Sequence, residues 1–180
     1  MNEVQYHSSA AAQQTPQIQK GLTFTRRFTT EGVSPYDEIQ WEQRTASIAD
    51  QKGNIIFEQE NVEVPADWSV TATNIMASKY LHGKQGTHER EISVRQLVSR
   101  VAETIRDWGL AGSYFATPED AAIFHDELVH MLLTQKVAFN SPVWFNVGCD
   151  RLEPEAEGQN WHWDPATGGV HYSASGYRNP

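Results

Sequence analysis

One stretch of the sequence, AFNSPVWFNVG at residues 138–148, places an apolar centre between short polar side chains. That centre, Val-Trp-Phe, consists of β-branched and aromatic residues, which favour strands. Pro142 cannot donate a ladder hydrogen bond, so it fits the start of a strand or an edge strand. We therefore predict a strand over 143–146, with Asn140 and Ser141 in the turn that precedes it.

The polar turn before this strand has two interpretations. Polar side chains held by a rigid strand can present hydrogen bonds to a polar ligand. An ordinary helix-to-strand turn, in which Asn and Ser satisfy backbone groups, explains the same residues. The residues alone leave both interpretations open.

The composition limits the class of protein. The chain has 180 residues, 39% of them hydrophobic, and a formal charge of −9. Such a charge argues against a nucleic-acid partner, whose phosphates require a basic surface, but it is compatible with a nucleotide ligand. We find no secretory signal at the N-terminus and no apolar run of membrane-spanning length, so we expect a cytoplasmic protein without a membrane partner.

The rest of the chain divides into segments of different character. Residues 1–20 are rich in Gln, Ala and Ser without a hydrophobic period, which predicts a disordered tail. Residues 21–137 are predicted to hold a small β hairpin and three helices. After the motif strand at 138–148, the glycines and prolines of 149–180 predict a long loop with at most short extended pieces. The predicted fold class is α+β and mainly helical.

Local signals set the bounds of these elements. The hairpin strands are predicted at 45–48 and 54–58, around an Asp- and Gly-containing turn. Ser93 with Gln96 forms a candidate capping box, and Thr117 precedes a Pro at the first helical position. The apolar periodicity then predicts three helices, at 67–82, 93–108 and 118–135.

Other candidate sites are weak. The seven histidines show no metal-ligand spacing, and His125 and His130 are five residues apart, so we predict no metal site. Cys149 is the only cysteine and has no evident cationic partner, so we expect no catalytic role for it. The aromatic stretch Trp161–Pro165 could stack on a planar ligand or fold onto the surface as a packing flap.

The motif stretch resembles a known family. Residues 139–146 are similar to the first conserved barrel strand of the adenosylcobalamin-dependent (class II) ribonucleotide reductases. Further segments resemble that family in the expected order: FTTEGVSPYD at 28–37, WEQR at 41–44, ATNI at 72–75, SVRQL at 93–97 and NWHWDP at 160–165.

The resemblance implies a fold and a reaction. Members of the family make deoxyribonucleotides for DNA synthesis, using adenosylcobalamin to create a thiyl radical and a cysteine pair to reduce the 2′ carbon. Their α/β barrel follows a mainly helical segment, so the chain is expected to comprise that segment and the first strand of an incomplete barrel. Ser141 matches a position that contacts the ribonucleotide substrate.

By the same resemblance, the catalytic cysteines and most of the cobalamin site lie beyond residue 180. We therefore expect the N-terminal portion of a reductase, as a gene fragment or as one piece of a split enzyme with a C-terminal reductase chain as partner. No catalytic residue is predicted within the chain, and isolated activity is not expected. Two alternatives are a non-catalytic helical module that docks to a full reductase and an unrelated helical binding domain that shares the motif by chance.

Overall fold

The computed structural model describes residues 21–152 and 160–173. A β hairpin and three helices form the main body, followed by two short helices and a second hairpin. The elements are β1 (Trp41–Ala49), β2 (Ile55–Pro65), α1 (Val70–Lys79), α2 (Val94–Ala111), α3 (Pro118–Leu133), α4 (Ser141–Asn146), α5 (Cys149–Leu152), β3 (Asn160–Asp164) and β4 (Gly169–Ser173). The α+β class predicted from the sequence is confirmed.

The first hairpin is longer than predicted and forms part of the core. β1 and β2 pair antiparallel from Trp41 opposite Pro65 to Ala49 opposite Ile55. Asp50 shapes the turn, because its carboxylate accepts hydrogen bonds from the backbone of the residues that follow it. The hairpin lies against the helices and contributes completely buried side chains to one continuous core: Ala46, Val62 and Val64.

The three predicted helices are confirmed, and two of their predicted N-caps are as expected. The Ser93 hydroxyl accepts from the Arg95 N–H at 2.9 Å, and the Thr117 hydroxyl accepts from the Asp120 N–H at 3.1 Å. Gln96 does reach back, but its side chain accepts from the N–H of Ile92 at 2.8 Å rather than from Ser93. Capping by short polar side chains therefore sets where α2 and α3 begin.

α1 ends earlier than the sequence predicted. It stops at Lys79 instead of continuing to residue 82, so Gly83 lies in the following loop with φ of 89°. The reason is a distant side chain. The Arg90 guanidinium donates to the carbonyls of Ala77 at 2.6 Å and Leu81 at 2.5 Å, which satisfies the end of the helix without a glycine cap.

The last turn of α2 departs from the apolar period of the helix. Trp108 lies at helical spacing from the buried residues Val98 and Val101, yet it is 57% exposed. The residue that faces the body there is Gly109, where an added Cβ would lie 2.3 Å from the ring of Phe115. The Phe115 ring packs directly against the backbone of Gly109, which has no side chain to bury. The period of hydrophobic residues therefore could not identify this contact.

The predicted strand over 143–146 is wrong, because residues 141–146 form the short helix α4. Asn140 is extended at the N-cap position, and Pro142 lies in the first turn, where its missing N–H leaves no helical bond unmade. The Val147 N–H then bonds to the Val143 carbonyl at 3.0 Å. A helix satisfies its own backbone, whereas a strand requires a partner, and among the described residues none pairs with this segment. The first strand of a barrel is therefore not confirmed.

The C-terminal part contains more regular structure than a plain loop. After the single turn of α5, β3 and β4 pair antiparallel as two five-residue strands, where the sequence predicted a long loop with at most short extended pieces. The predicted tail at 1–20 lies outside the described residues. In the described part of the chain, no helix is both long and apolar enough to cross a membrane.

Candidate functional site

The hydroxyl of Ser141 is held by a tyrosine from another helix. Ser141 is the first residue of α4 and is partly buried, and its Oγ lies 3.1 Å from the hydroxyl oxygen of Tyr80. Tyr80 is the C-cap of α1, and its N–H donates to the Met76 carbonyl at 2.9 Å. The side chain singled out from the sequence is therefore positioned by the end of α1, and not only by its own turn.

A buried arginine holds the other end of α4. Arg100 on α2 donates to the carbonyl of Val147 at 2.7 Å and to that of Trp144 at 3.3 Å. These carbonyls lie at the C-terminal end of α4, where a cation is favourable. Arg100 thus supplies the partners that a six-residue helix lacks at its end.

The charge of Arg100 is balanced by Glu91. The Arg100 Nε–H donates to Glu91 Oε1 at 2.9 Å, and the two side chains are only 3% and 5% exposed. The second carboxylate oxygen, Oε2, accepts from the His82 N–H at 2.7 Å. Because each charge has a partner and further hydrogen bonds, the pair can be accommodated in the interior.

Gly148 allows the chain to pass close to α2. Its φ is 78°, and an added Cβ would lie 2.6 Å from Thr104 Oγ1 and 2.7 Å from the Arg100 carbonyl oxygen. Both the conformation and the distance require glycine. The end of the motif is therefore fixed by backbone packing as well as by hydrogen bonds.

The aromatic residues of α4 pack on the helical body. The Phe145 ring lies 5.3 Å from that of Tyr80, and Trp144 meets Phe139 edge-on at 5.6 Å. Both α4 rings are only partly buried. Asn146 bonds locally, from its Nδ2 to the Pro142 carbonyl at 2.8 Å, whereas Asn140 makes no side-chain cap bond.

The surroundings of Cys149 correct an inference from the sequence. A cationic partner was not evident there, yet Arg100 Nη1 lies 3.3 Å from Sγ. The thiol also donates to the Phe145 carbonyl at 3.1 Å. The two residues are 49 positions apart in the chain, so no local pattern could have revealed the contact. Both bonds therefore connect Cys149 to groups that hold α4 in place, the Arg100 side chain and the Phe145 carbonyl.

The remaining candidates do not converge on a site. His125 contacts Asp126 through Nδ1 at 3.2 Å, while the His130 ring stacks on Phe28. Across residues 21–152 and 160–173, no group of three or more metal-ligating side chains is found. In the aromatic stretch, Trp163 is 62% exposed, and the side chains of residues 161 and 162 lie outside the described part.

A second feature, missed by the sequence analysis, is a cleft of about 410 Å³ between the segment 23–28 and α3. Its buried carboxylate, Glu127, accepts from the backbone N–H groups of residues 27–29 and from the Thr29 hydroxyl at 2.7 Å. Burial acts to raise the pKa of Glu127, but these hydrogen bonds outweigh it and lower the pKa below its ordinary value. Because these donors belong to the segment 27–29 and Glu127 belongs to α3, the carboxylate joins the N-terminal segment to α3.

Comparison with known proteins identifies relatives of the chain. Residues 42–135 match the family model described as class II vitamin B12-dependent ribonucleotide reductase. Vitamin B12-dependent ribonucleotide reductases from Rhodopirellula baltica and Streptomyces coelicolor are 50% and 51% identical over 80% and 72% of the chain. That from Bradyrhizobium diazoefficiens is 35% identical over 88%. The chain spans only 13–16% of the length of these three relatives.

Proposed function

Because the chain belongs to the class II vitamin B12-dependent ribonucleotide reductases, we propose that it acts as the N-terminal portion of such an enzyme. Its helical body then serves as the scaffold that presents Ser141 to the ribonucleotide. The complete enzyme makes deoxyribonucleotides for DNA synthesis by thiyl-radical chemistry. The supporting observation is the attachment of α4 at both ends, through Tyr80 and Arg100.

The role of Ser141 follows from its chemistry and its position. A serine hydroxyl has one donor and two acceptor sites, so it can bond to Tyr80 and still meet an oxygen of the nucleotide. Its helix is fixed on a packed body, and positioned polar groups of this kind give a ligand its orientation. The formal charge of −9 supports a small-molecule substrate over a nucleic acid, and we propose the cytoplasm as the site of action.

The radical chemistry requires groups that these residues do not supply. Reduction at the 2′ carbon by a cysteine pair needs two thiols, and the 180 residues contain one cysteine. The carboxylate in the cleft, Glu127, already accepts hydrogen bonds from the backbone of residues 27–29 and from the Thr29 hydroxyl, so it does not mark a cofactor site. Cobalamin, when bound by the complete enzyme, would supply the radical.

Isolated activity is therefore not expected. The purified chain, supplied with adenosylcobalamin, a ribonucleotide and a dithiol, should form no deoxynucleotide. Product formation above the rate without protein would contradict this part of the proposal.

Substrate contact by Ser141 is tested by Ser141→Ala in a full-length reductase that carries this chain. Loss of one hydrogen bond to a polar or charged group of the nucleotide corresponds to about 1–3 kcal/mol, or roughly 5- to 150-fold weaker binding. Ser99→Ala is the matched control, because the Ser99 hydroxyl also pairs with a tyrosine, Tyr36, at 2.7 Å but lies outside the motif. Equal substrate affinity in the two variants would leave Ser141 with a local role only.

A further inference from the structure

The contact between Tyr80 and Ser141 is a hydrogen bond between two side chains whose positions are fixed by the fold. Tyr80 is fixed by its backbone N–H bond to Met76, and its ring packs against Phe145 at 5.3 Å between centroids. With the ring fixed, the hydroxyl has a defined position, 3.1 Å from Ser141 Oγ. The pair joins two elements that are 61 residues apart in the chain.

We propose that Tyr80 is a positioning residue, which orients the Ser141 hydroxyl toward the ribonucleotide by donating its own hydrogen to Ser141 Oγ. The inference rests on the proposed substrate contact of Ser141. A free serine hydroxyl rotates among several directions. Once one of its acceptor sites is occupied by the Tyr80 hydrogen, its own hydrogen points away from Tyr80 and is available to an acceptor oxygen of the nucleotide.

Two physical effects support this direction of donation. A phenol hydroxyl carries one hydrogen that it can donate, so Tyr80 can act as the donor to Ser141. Hydrogen bonds in series also polarise one another, so a serine that accepts from Tyr80 becomes a better donor to the ligand. The opposite direction would leave Ser141 able only to accept from the nucleotide.

The hydroxyl can be removed without loss of the ring. Tyr80→Phe keeps the packing against Phe145 and deletes one oxygen, so the fold should be retained. Tyr36→Phe is the matched control, because Tyr36 makes a tyrosine–serine contact of 2.7 Å with Ser99, outside α4. The two changes should have similar effects on stability, and only the first should change substrate affinity.

The experiment measures ribonucleotide affinity and thermal stability in the full-length reductase, for Tyr80→Phe, Ser141→Ala, the double variant and Tyr36→Phe. Loss of a typical neutral hydrogen bond predicts that Tyr80→Phe binds substrate about two- to tenfold more weakly. Because Tyr80 acts through Ser141, the double variant should bind no more weakly than Ser141→Ala alone.

The outcomes separate the two proposals. If Ser141→Ala weakens binding but Tyr80→Phe does not, or if the two effects add in the double variant, the positioning role is overturned and the substrate contact stands. If Ser141→Ala leaves binding unchanged, the substrate contact fails, and the role of Tyr80 that rests on it fails as well. An equal loss of affinity in Tyr36→Phe would reveal a general effect of stability and would also overturn the inference.

Discussion

Replacement of Arg100 by methionine tests whether the buried ion pair holds the helical body and α4 together. The Arg100 side chain is 3% exposed and donates to Glu91 Oε1 at 2.9 Å and to the Val147 carbonyl at 2.7 Å. Methionine fills part of the volume but donates nothing. The Glu91 carboxylate then remains buried and keeps its hydrogen bond from the His82 N–H at 2.7 Å.

The expected loss can be worked from these contacts. Removal of one partner from a buried ion pair costs about 3–5 kcal/mol, since the other charge is left uncompensated. Domains are stable by about 5–15 kcal/mol, so the loss would be a substantial part of the total. Arg106→Met on the same helix is the control, because its ion pair with Asp107 is about one-third exposed and such pairs contribute at most about 1 kcal/mol.

Urea denaturation of the chain, followed by tryptophan fluorescence, measures the difference in unfolding free energy between the two variants. The double variant Glu91→Gln with Arg100→Met should recover part of the loss, because an amide is less unfavourable than a carboxylate when it is buried. A loss in Arg100→Met no greater than that in Arg106→Met would refute the reasoning. If the double variant recovered none of the unfolding free energy, the loss in Arg100→Met would come from packing and not from the unpaired charge.

Three further changes test separate contacts. Glu127 has a lowered pKa in the folded state, so the stability it contributes should be complete above the ordinary pKa of 4.5 and be lost as the pH falls through the folded pKa. In denaturation experiments at several pH values, the unfolding free energy of Glu127→Gln should therefore fall less steeply toward acid pH than that of the unchanged chain. Gly148→Ala should destabilise the chain by about 1–3 kcal/mol more than Gly32→Ala in the same assay, because both glycines have positive φ but only at Gly148 would the added methyl group clash with its neighbours. Equal losses of unfolding free energy in the two variants would contradict this. Trp144→Ala should lower the unfolding free energy by about 2–3 kcal/mol, below the 3–5 kcal/mol of a fully buried tryptophan, because Trp144 is only partly buried.

The sequence predicted those features that depend on neighbouring residues. Ser93 and Thr117 cap helices through N–H groups two and three positions away, so the starts of α2 and α3 could be read directly. The turn of the first hairpin is equally local, since Asp50 bonds within four residues. The end of α1 was misplaced because Arg90, which lies 13 positions beyond Ala77, satisfies its carbonyls.

The motif segment was misassigned for a different reason. Its Val-Trp-Phe centre favours a strand, but β propensity reports how well side chains fit a sheet, and none of the described strands pairs with this segment. A helical signal was available: Asn140 is a good N-cap residue, and Pro142 is suited to the first turn. Ser141 could be selected from the sequence, but Tyr80 and Arg100 could not, because each meets the motif only through the tertiary fold.

These contacts make the stability of the helical body and the geometry of α4 interdependent. Glu91 and Arg100 lie within the matched residues 42–135, and the carbonyls of Trp144 and Val147 to which Arg100 donates lie beyond them. In a full-length reductase, Arg100→Met should therefore weaken both folding and substrate binding, whereas Tyr80→Phe should weaken binding with little effect on folding. If Arg100→Met lowered stability but left substrate affinity unchanged, the position of α4 would have to be set by other contacts, and the buried ion pair would serve the fold alone.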